Sequence, residues 1–133
     1  MKIIHTTSAH SRYDIRIFVK MCKSLADYGN RITLIVADGL GNEKIDGIEI
    51  FDVGKEKNRW RRFIYTPLKI YQKLKQLNAD IVHMHDPDML LVGLQIKKLG
   101  VKVIFDSHEL VRDQILMKHY LPRHIRKFIS LFY

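Results

Sequence analysis

Three short polar segments hold the side chains best suited to chemistry. The first is Thr7-Ser8-Ala9-His10-Ser11-Arg12-Tyr13-Asp14-Ile15-Arg16. It lacks G-x-G-x-x-G, so the dinucleotide fingerprint is absent. Yet hydroxyls, His10, Arg12 and Arg16 gather where Asp14 can cap a helix. Helix amides attract anions, and Arg12 is placed to add a bidentate phosphate contact. The plain alternative is an ordinary strand-to-helix loop with Asp14 as its cap. The second segment is His83-Met84-His85-Asp86-Pro87-Asp88. His83 and His85 share one face of a strand, a spacing also used by metal-dependent hydrolases. No third and fourth ligands follow at a recognisable spacing, so no metal is expected. His85 is then a candidate substrate contact, or a strand histidine packed under a helix that Asp86 caps. The third segment is Phe105-Asp106-Ser107-His108-Glu109. The His108 imidazole can hydrogen-bond a ligand hydroxyl or stabilise developing charge. The alternative is a helix cap at Asp106 or Ser107 with His108 merely exposed. Nothing supports a Ser-His-Asp or Cys-His nucleophile. Asp86, Asp88, Asp106 and Glu109 are the carboxylates available as a general base.

The surrounding elements alternate in a way that places these segments together. Lys2–Thr6 reads as a strand. Ile15, Phe18, Val19, Cys22, Leu25 and Ala26 form one helical stripe, closed by Gly29. Arg31–Ala37 reads as a buried strand and Gly47–Val53 as an alternating one. Thr66-Pro67 is expected to start a helix marked by Leu68, Tyr71, Leu74 and Leu77. Asp80–His85 is a further strand, and Asp86-Pro87 opens a helix that Gly100 ends. Val101–Asp106 is the last strand, followed by helical sequence interrupted at Pro122. The order β-α-β-β-α-β-α-β-α calls for crossovers. It predicts an α/β, Rossmann-like, mainly parallel sheet with helices on both faces. Open sheets of this kind bind ligands beyond the carboxyl ends of their strands. The three polar segments and the turn Asp38–Asn42 all fall at such ends.

Composition narrows the class. The chain has 133 residues, 47% of them apolar, which suits one domain with a real core. A single cysteine, Cys22, excludes a disulfide scaffold. A short polar N-terminus and no long apolar run predict a soluble cytoplasmic protein. The net charge of +9 is uneven. Residues 57–79 carry seven basic side chains and no acid, and residues 117–133 carry four and no acid. Both segments therefore suggest a surface aimed at anions. The stretch Lys57-Asn58-Arg59-Trp60-Arg61-Arg62-Phe63-Ile64-Tyr65 interleaves cations with rings. That suits a membrane interface or anionic substrate, suits nucleic acid less well, and also fits a solvated helix face. A receiver-like regulatory domain is disfavoured, because the first strand ends Ile4-His5-Thr6-Thr7 without an acidic cluster.

Taken in order, three runs resemble the N-terminal half of family-four glycosyltransferases, the retaining enzymes of the GT-B fold. They are Thr7–Phe18 leading into Leu25–Ile35, Asp80–Leu91 and Lys102–Glu109. The resemblance implies two Rossmann-like domains facing across a cleft, the N-terminal one holding the acceptor. The second domain would bind the sugar nucleotide, with no metal and no cofactor beyond that donor. It implies that His108 contacts the transferred sugar. It also implies that the loop bearing His10, Arg12, Asp14 and Arg16, with His85, Asp86 and Glu109, borders the substrates. Basic aromatic helices would dock on the inner face of the cytoplasmic membrane, here through Arg59, Trp60, Arg61 and Arg62, and through Arg126 and Lys127. The expected acceptor is a saccharide or lipid-linked saccharide of polysaccharide or glycolipid synthesis. The first loop departs from the family, since many relatives carry glycines where this chain has none between Thr7 and Asp14. On this reading residues 1–133 are one acceptor-side domain, cut short at its C-terminal end, with the sugar-nucleotide domain missing. The chain alone is then expected to be inactive. Its last helix, with Ile125, Phe128, Ile129 and Phe132, is expected to pair with another copy. The competing reading is a non-catalytic basic α/β module for nucleic acid.

Overall fold

The computed structural model describes residues 1–106 together with Pro122 and His124. The strand Lys2–Thr6 (β1), buried continuously from Ile3 onward, and the near-continuous apolar run Arg31–Val36 (β2) build the centre of a six-stranded sheet. The strand order is β3-β4-β2-β1-β5-β6, with β3 at Glu43–Ile45, β4 at Ile48–Asp52, β5 at Ile81–Met84 and β6 at Lys102–Phe105. Every pairing is parallel except β3 with β4. The chain runs from β1 outward through β2 and β4, then returns to pair β5 on the other side of β1. That reversal makes the carboxyl ends of β1 and β5 the switch point of the sheet, where an open α/β fold leaves a crevice.

Asp14 caps the first helix as expected, its carboxylate accepting from the amides of Arg16 and Ile17 at 2.9 Å. The helix begins as a π-helix over Ile15–Cys22 and tightens into α1 at Lys23–Asp27. The Asp14 carbonyl shows the transition, accepting from both Phe18 N and Val19 N. Ile17, Phe18 and Cys22 pack against Ile3, Leu34, Ile48 and Ile50 on one face of the sheet. On the other face Ile70 and Leu74 of α2 (Arg59–Leu77), and Val92 and Ile96 of α3 (Leu90–Lys98), cover Ile4, Ile35, Val82 and Met84. Each face thus has its own apolar layer, as a two-sided parallel sheet requires.

Three expectations are corrected. The single strand read at Gly47–Val53 is the second arm of a hairpin, with Asp46 (φ 51°) and Gly47 (φ 77°) forming the two-residue turn after β3. The second helix, α2, runs Arg59–Leu77 and begins seven residues before Thr66. Asn58 supplies the cap, accepting from Arg61 N at 2.9 Å. Pro67 therefore lies inside the helix, where it costs one backbone donor toward the Phe63 carbonyl. Finally, Asp86 precedes the helical turn Pro87–Met89 and α3, but its side chain makes no cap hydrogen bond. No helix among the described residues is long and apolar enough to cross a membrane.

Candidate functional site

The loop after β1 and the loop after β5 are joined by one carboxylate. Asp86 Oδ2 accepts from the Thr7 hydroxyl at 2.6 Å and from the Ser8 amide at 2.8 Å. Asp86 Oδ1 lies 3.1 Å from His10 Nδ1. One residue pair further out, the Ser8 hydroxyl donates to Asp88 at 2.7 Å. Asp86 is nearly inaccessible, so its oxygens are spent on building the rim of the crevice. Burial pushes the Asp88 carboxyl up, with the Ser8 hydroxyl opposing the shift. The sequence offered Asp88 as a general-base candidate and Ser8 among the loop hydroxyls; what it could not show is that the two are paired with each other.

Arg12 was expected to meet a phosphate. The structure buries it instead, at 2% exposure. Its guanidinium forks onto Asp38 at 2.7 and 2.6 Å, reaches Glu43 at 3.1 Å and donates to the Gly41 carbonyl at 2.7 Å. All faces of the fork are engaged, and Asp38 raises the guanidinium's already high pKa further. The same pairing holds the Asp38 carboxyl below its usual range. Arg12 therefore fixes the Asp38–Glu43 turn against the first loop. Asp14 acts as a helix cap. Burial pushes its carboxyl up, but the Ile17 amide, nearby His10 and the Arg16 amide together hold it below the ordinary value.

Arg16 crosses the sheet to Asp106 at the end of β6, an ion pair between half-buried groups. Asp106 Oδ2 is also 3.5 Å from His85 Nδ1. His85 is 1% exposed and faces the interior, beneath the rim, where it was expected to contact substrate. Its Nε2 lies 3.0 Å from His5 Nδ1. Desolvation lowers both imidazoles, with the neighbouring histidines adding to it: His5 to about 3 and His85 to about 4. Both are neutral at pH 7. His83 is lowered as well, chiefly by burial. His5 was overlooked because nothing within its own strand marks it. Only the β1–β5 register, which sets His5 beside His83, brings it into the group.

Above this framework lies a cleft of about 420 Å³. Ser8, His10 and Ser11 form one wall and Asp38 and Leu40 another, while Lys55, Lys57, Arg59 and Arg62 edge the third. The four cations are exposed. Glu56, between them in sequence, is already neutralised by Lys69 at 2.5 Å and Arg61 at 3.1 Å. The cleft is thus polar and cationic on one side, a shape suited to an anionic or hydroxyl-rich ligand. Beside it, α2 presents Trp60, Phe63 and Ile64 to solvent at 80%, 61% and 54% exposure. Arg59 and Arg62 belong to the cleft edge, whereas Arg61 stacks 4.7 Å over Tyr65. His10, Asp86 and the Arg16 region do share one rim. His108, Glu109, Arg126 and Lys127 lie outside the described residues, as do Ile125, Phe128, Ile129 and Phe132.

The sequence model of Glycosyltransferase Family 4 matches residues 16–132. The chain belongs to that family. Its fold is the mainly parallel, Rossmann-like sheet of GT-B glycosyltransferases. A solved structure of sucrose-phosphate synthase from Thermosynechococcus elongatus superposes with a TM-score of 0.69 at 13% sequence identity. The superposition covers 98% of this chain and 39% of that one, a likeness of fold. The family-four chain thus spans well under half the length of that relative. No curated protein sequence matches it.

Proposed function

We propose that this chain is the acceptor-side domain of a retaining glycosyltransferase. In this reading it holds the saccharide or lipid-linked saccharide to which the enzyme moves a hexosyl group from a sugar nucleotide, as in polysaccharide or glycolipid assembly. The observation that carries the reading is the cleft beyond the carboxyl ends of β1, β2 and β4, walled by Ser8 and His10 and edged by Lys55, Lys57, Arg59 and Arg62. Hydroxyls and an imidazole suit a sugar, and the cations suit a phosphate next to it. Trp60, Phe63 and Ile64 stand on the same helix turns as Arg59 and Arg62. A ring-and-cation surface of that kind sits at headgroup depth on an anionic bilayer, which would bring a lipid-linked acceptor to the cleft from the inner face of the cytoplasmic membrane. A second domain supplies the sugar-nucleotide site, so the 133-residue chain alone is inactive. His108 is the residue assigned to the transferred sugar. No metal is required for the transfer step.

The test uses vesicles, DNA and donors. The chain is expected to co-sediment with phosphatidylcholine vesicles containing phosphatidylglycerol and not with neutral ones. Joint Arg59→Glu and Arg62→Glu substitutions should weaken that binding at least tenfold, and Trp60→Ala should weaken it less. Salt-dependent binding to random duplex DNA with no affinity for vesicles would favour the nucleic-acid module and end this reading. Incubation with a panel of sugar nucleotides should give no turnover by the chain alone. Joined to a sugar-nucleotide-binding domain, it should give a product with retained anomeric configuration; inversion would refute the retaining assignment.

A further inference from the structure

We propose that His5, His83 and His85 form a binding site for one borderline transition-metal ion, with Zn²⁺ as the natural case. The site is independent of the proposed transfer function, because it lies beneath the cleft rim and uses none of the cleft residues. Parallel pairing aligns His5 of β1 with His83 of β5, and the two-residue strand period puts His85 on the same face. One ring nitrogen from each of the three lies within 4.8 Å of the others. A tetrahedral zinc site with bonds of about 2.0–2.1 Å needs its nitrogens about 3.3 Å apart. The His5–His85 pair, at 3.0 Å, is already near that spacing. Only the half-buried His83 ring has to swing inward.

The His5 Nδ1–His85 Nε2 contact holds one proton between two rings, which a bound ion would displace. His5 Nε2, His83 Nε2 and His85 Nδ1 are buried without a hydrogen-bond partner. Buried polar atoms are normally satisfied; His83 Nε2 is available as the third ligand beside His5 Nδ1 and His85 Nε2, while His85 Nδ1 faces Asp106 at 3.5 Å. Three imidazoles select zinc, copper, nickel or cobalt over magnesium or calcium, which prefer oxygen. Asp106 lies 3.5 Å from His85 and is paired with Arg16. A bound ion would therefore tie β1, β5 and the end of β6 at the point where the sheet reverses its order.

The experiment takes the full 133-residue chain, freed of metal by a chelator, and titrates Zn²⁺ by calorimetry and Co²⁺ by visible absorption. One ion per chain and the strong visible bands of four-coordinate cobalt are expected. His83→Gln should weaken binding by roughly 100-fold or more, whereas substitution of the exposed His124 should leave it unchanged. His5 and His85 are too buried for their variants to be safe, so ¹⁵N imidazole shifts of the unmodified chain locate the ligands directly. Zinc-induced shifts confined to His5, His83 and His85 support the site. Shifts at other histidines, no binding, or equal binding by His83→Gln each overturn it.

Discussion

The Thr7 hydroxyl donates to Asp86 Oδ2 at 2.6 Å, joining the end of β1 to the end of β5 across 79 residues of sequence. The Ser8 amide uses the same oxygen, so one buried carboxylate holds the first loop in place. Asp86→Ala would strand both donors in a site that water barely reaches. The expected loss is about 2–4 kcal/mol of stability. In urea denaturation this should lower the midpoint with the slope unchanged. Asp86→Asn keeps one acceptor oxygen and should lose less; equal losses would show that the hydrogen bonds to Thr7 and Ser8 contribute little.

The Arg12–Asp38 pair makes a second, pH-dependent prediction. Arg12→Met leaves Asp38 without its fork partner and Glu43 without one of its donors, and should cost about 3 kcal/mol. Lysine cannot reproduce the planar fork, so Arg12→Lys should recover only a minor part. Asp38 titrates below its usual range of about 3.8 in the folded chain because Arg12 bonds its charged form. The unfolded chain then binds more protons than the folded one in that acidic window. The pair's contribution is therefore fully present above the unfolded carboxyl value, and it disappears as pH falls through the folded one. Stability curves of the native chain and of Arg12→Met should converge below about pH 4. Curves that stay parallel through that range would contradict the assignment.

Cys22 gives a third prediction. It is the chain's single cysteine, fully buried between the first helix and the sheet, and desolvation pushes its thiol up to about 12. At pH 8 almost no thiolate is present in the folded state. Alkylation by iodoacetamide should proceed only through opening of the apolar layer around Ile17 and Phe18. Its rate should rise with urea in step with unfolding measured by circular dichroism. Rapid labelling in native buffer would show that this layer opens locally.

How far the sequence reached depended on how far apart the deciding residues lie. The strands at Lys2–Thr6 and Arg31–Val36, the Asp14 cap and the stops at Gly29 and Gly100 are local and legible. The Asp46-Gly47 turn was equally local, but taking Gly47 as the start of a strand hid the hairpin before it. Pro67 misled for another reason. Proline usually opens a helix, and here tertiary packing of Ile70 and Leu74 carries the helix through it. In the site, Arg12 looked free because its partners stand 26 and 31 residues away. His5 looked like any strand residue because its meaning comes from the β1–β5 register. Such long-range pairings decide whether a polar side chain faces a ligand or builds the wall behind it.

Gly93 tests the packing of α3 on the sheet that carries the site. A Cβ added there would meet Met84 Sδ at 3.0 Å and Val103 Cγ1 at 3.4 Å. The closer atom is the far end of a flexible methionine, which can turn aside, while the β-branched valine cannot. Gly93→Ala should therefore gain about 1 kcal/mol in helix propensity and lose a similar amount to crowding, ending near neutral. Gly93→Val adds two more carbons toward β5 and β6, with no such relief, and should cost about 2 kcal/mol. Urea midpoints of the two variants separate the effects. If both were equally destabilised, the methionine would be as immobile as the valine, and α3 would be seated on β5 by Met84 as rigidly as by Val103.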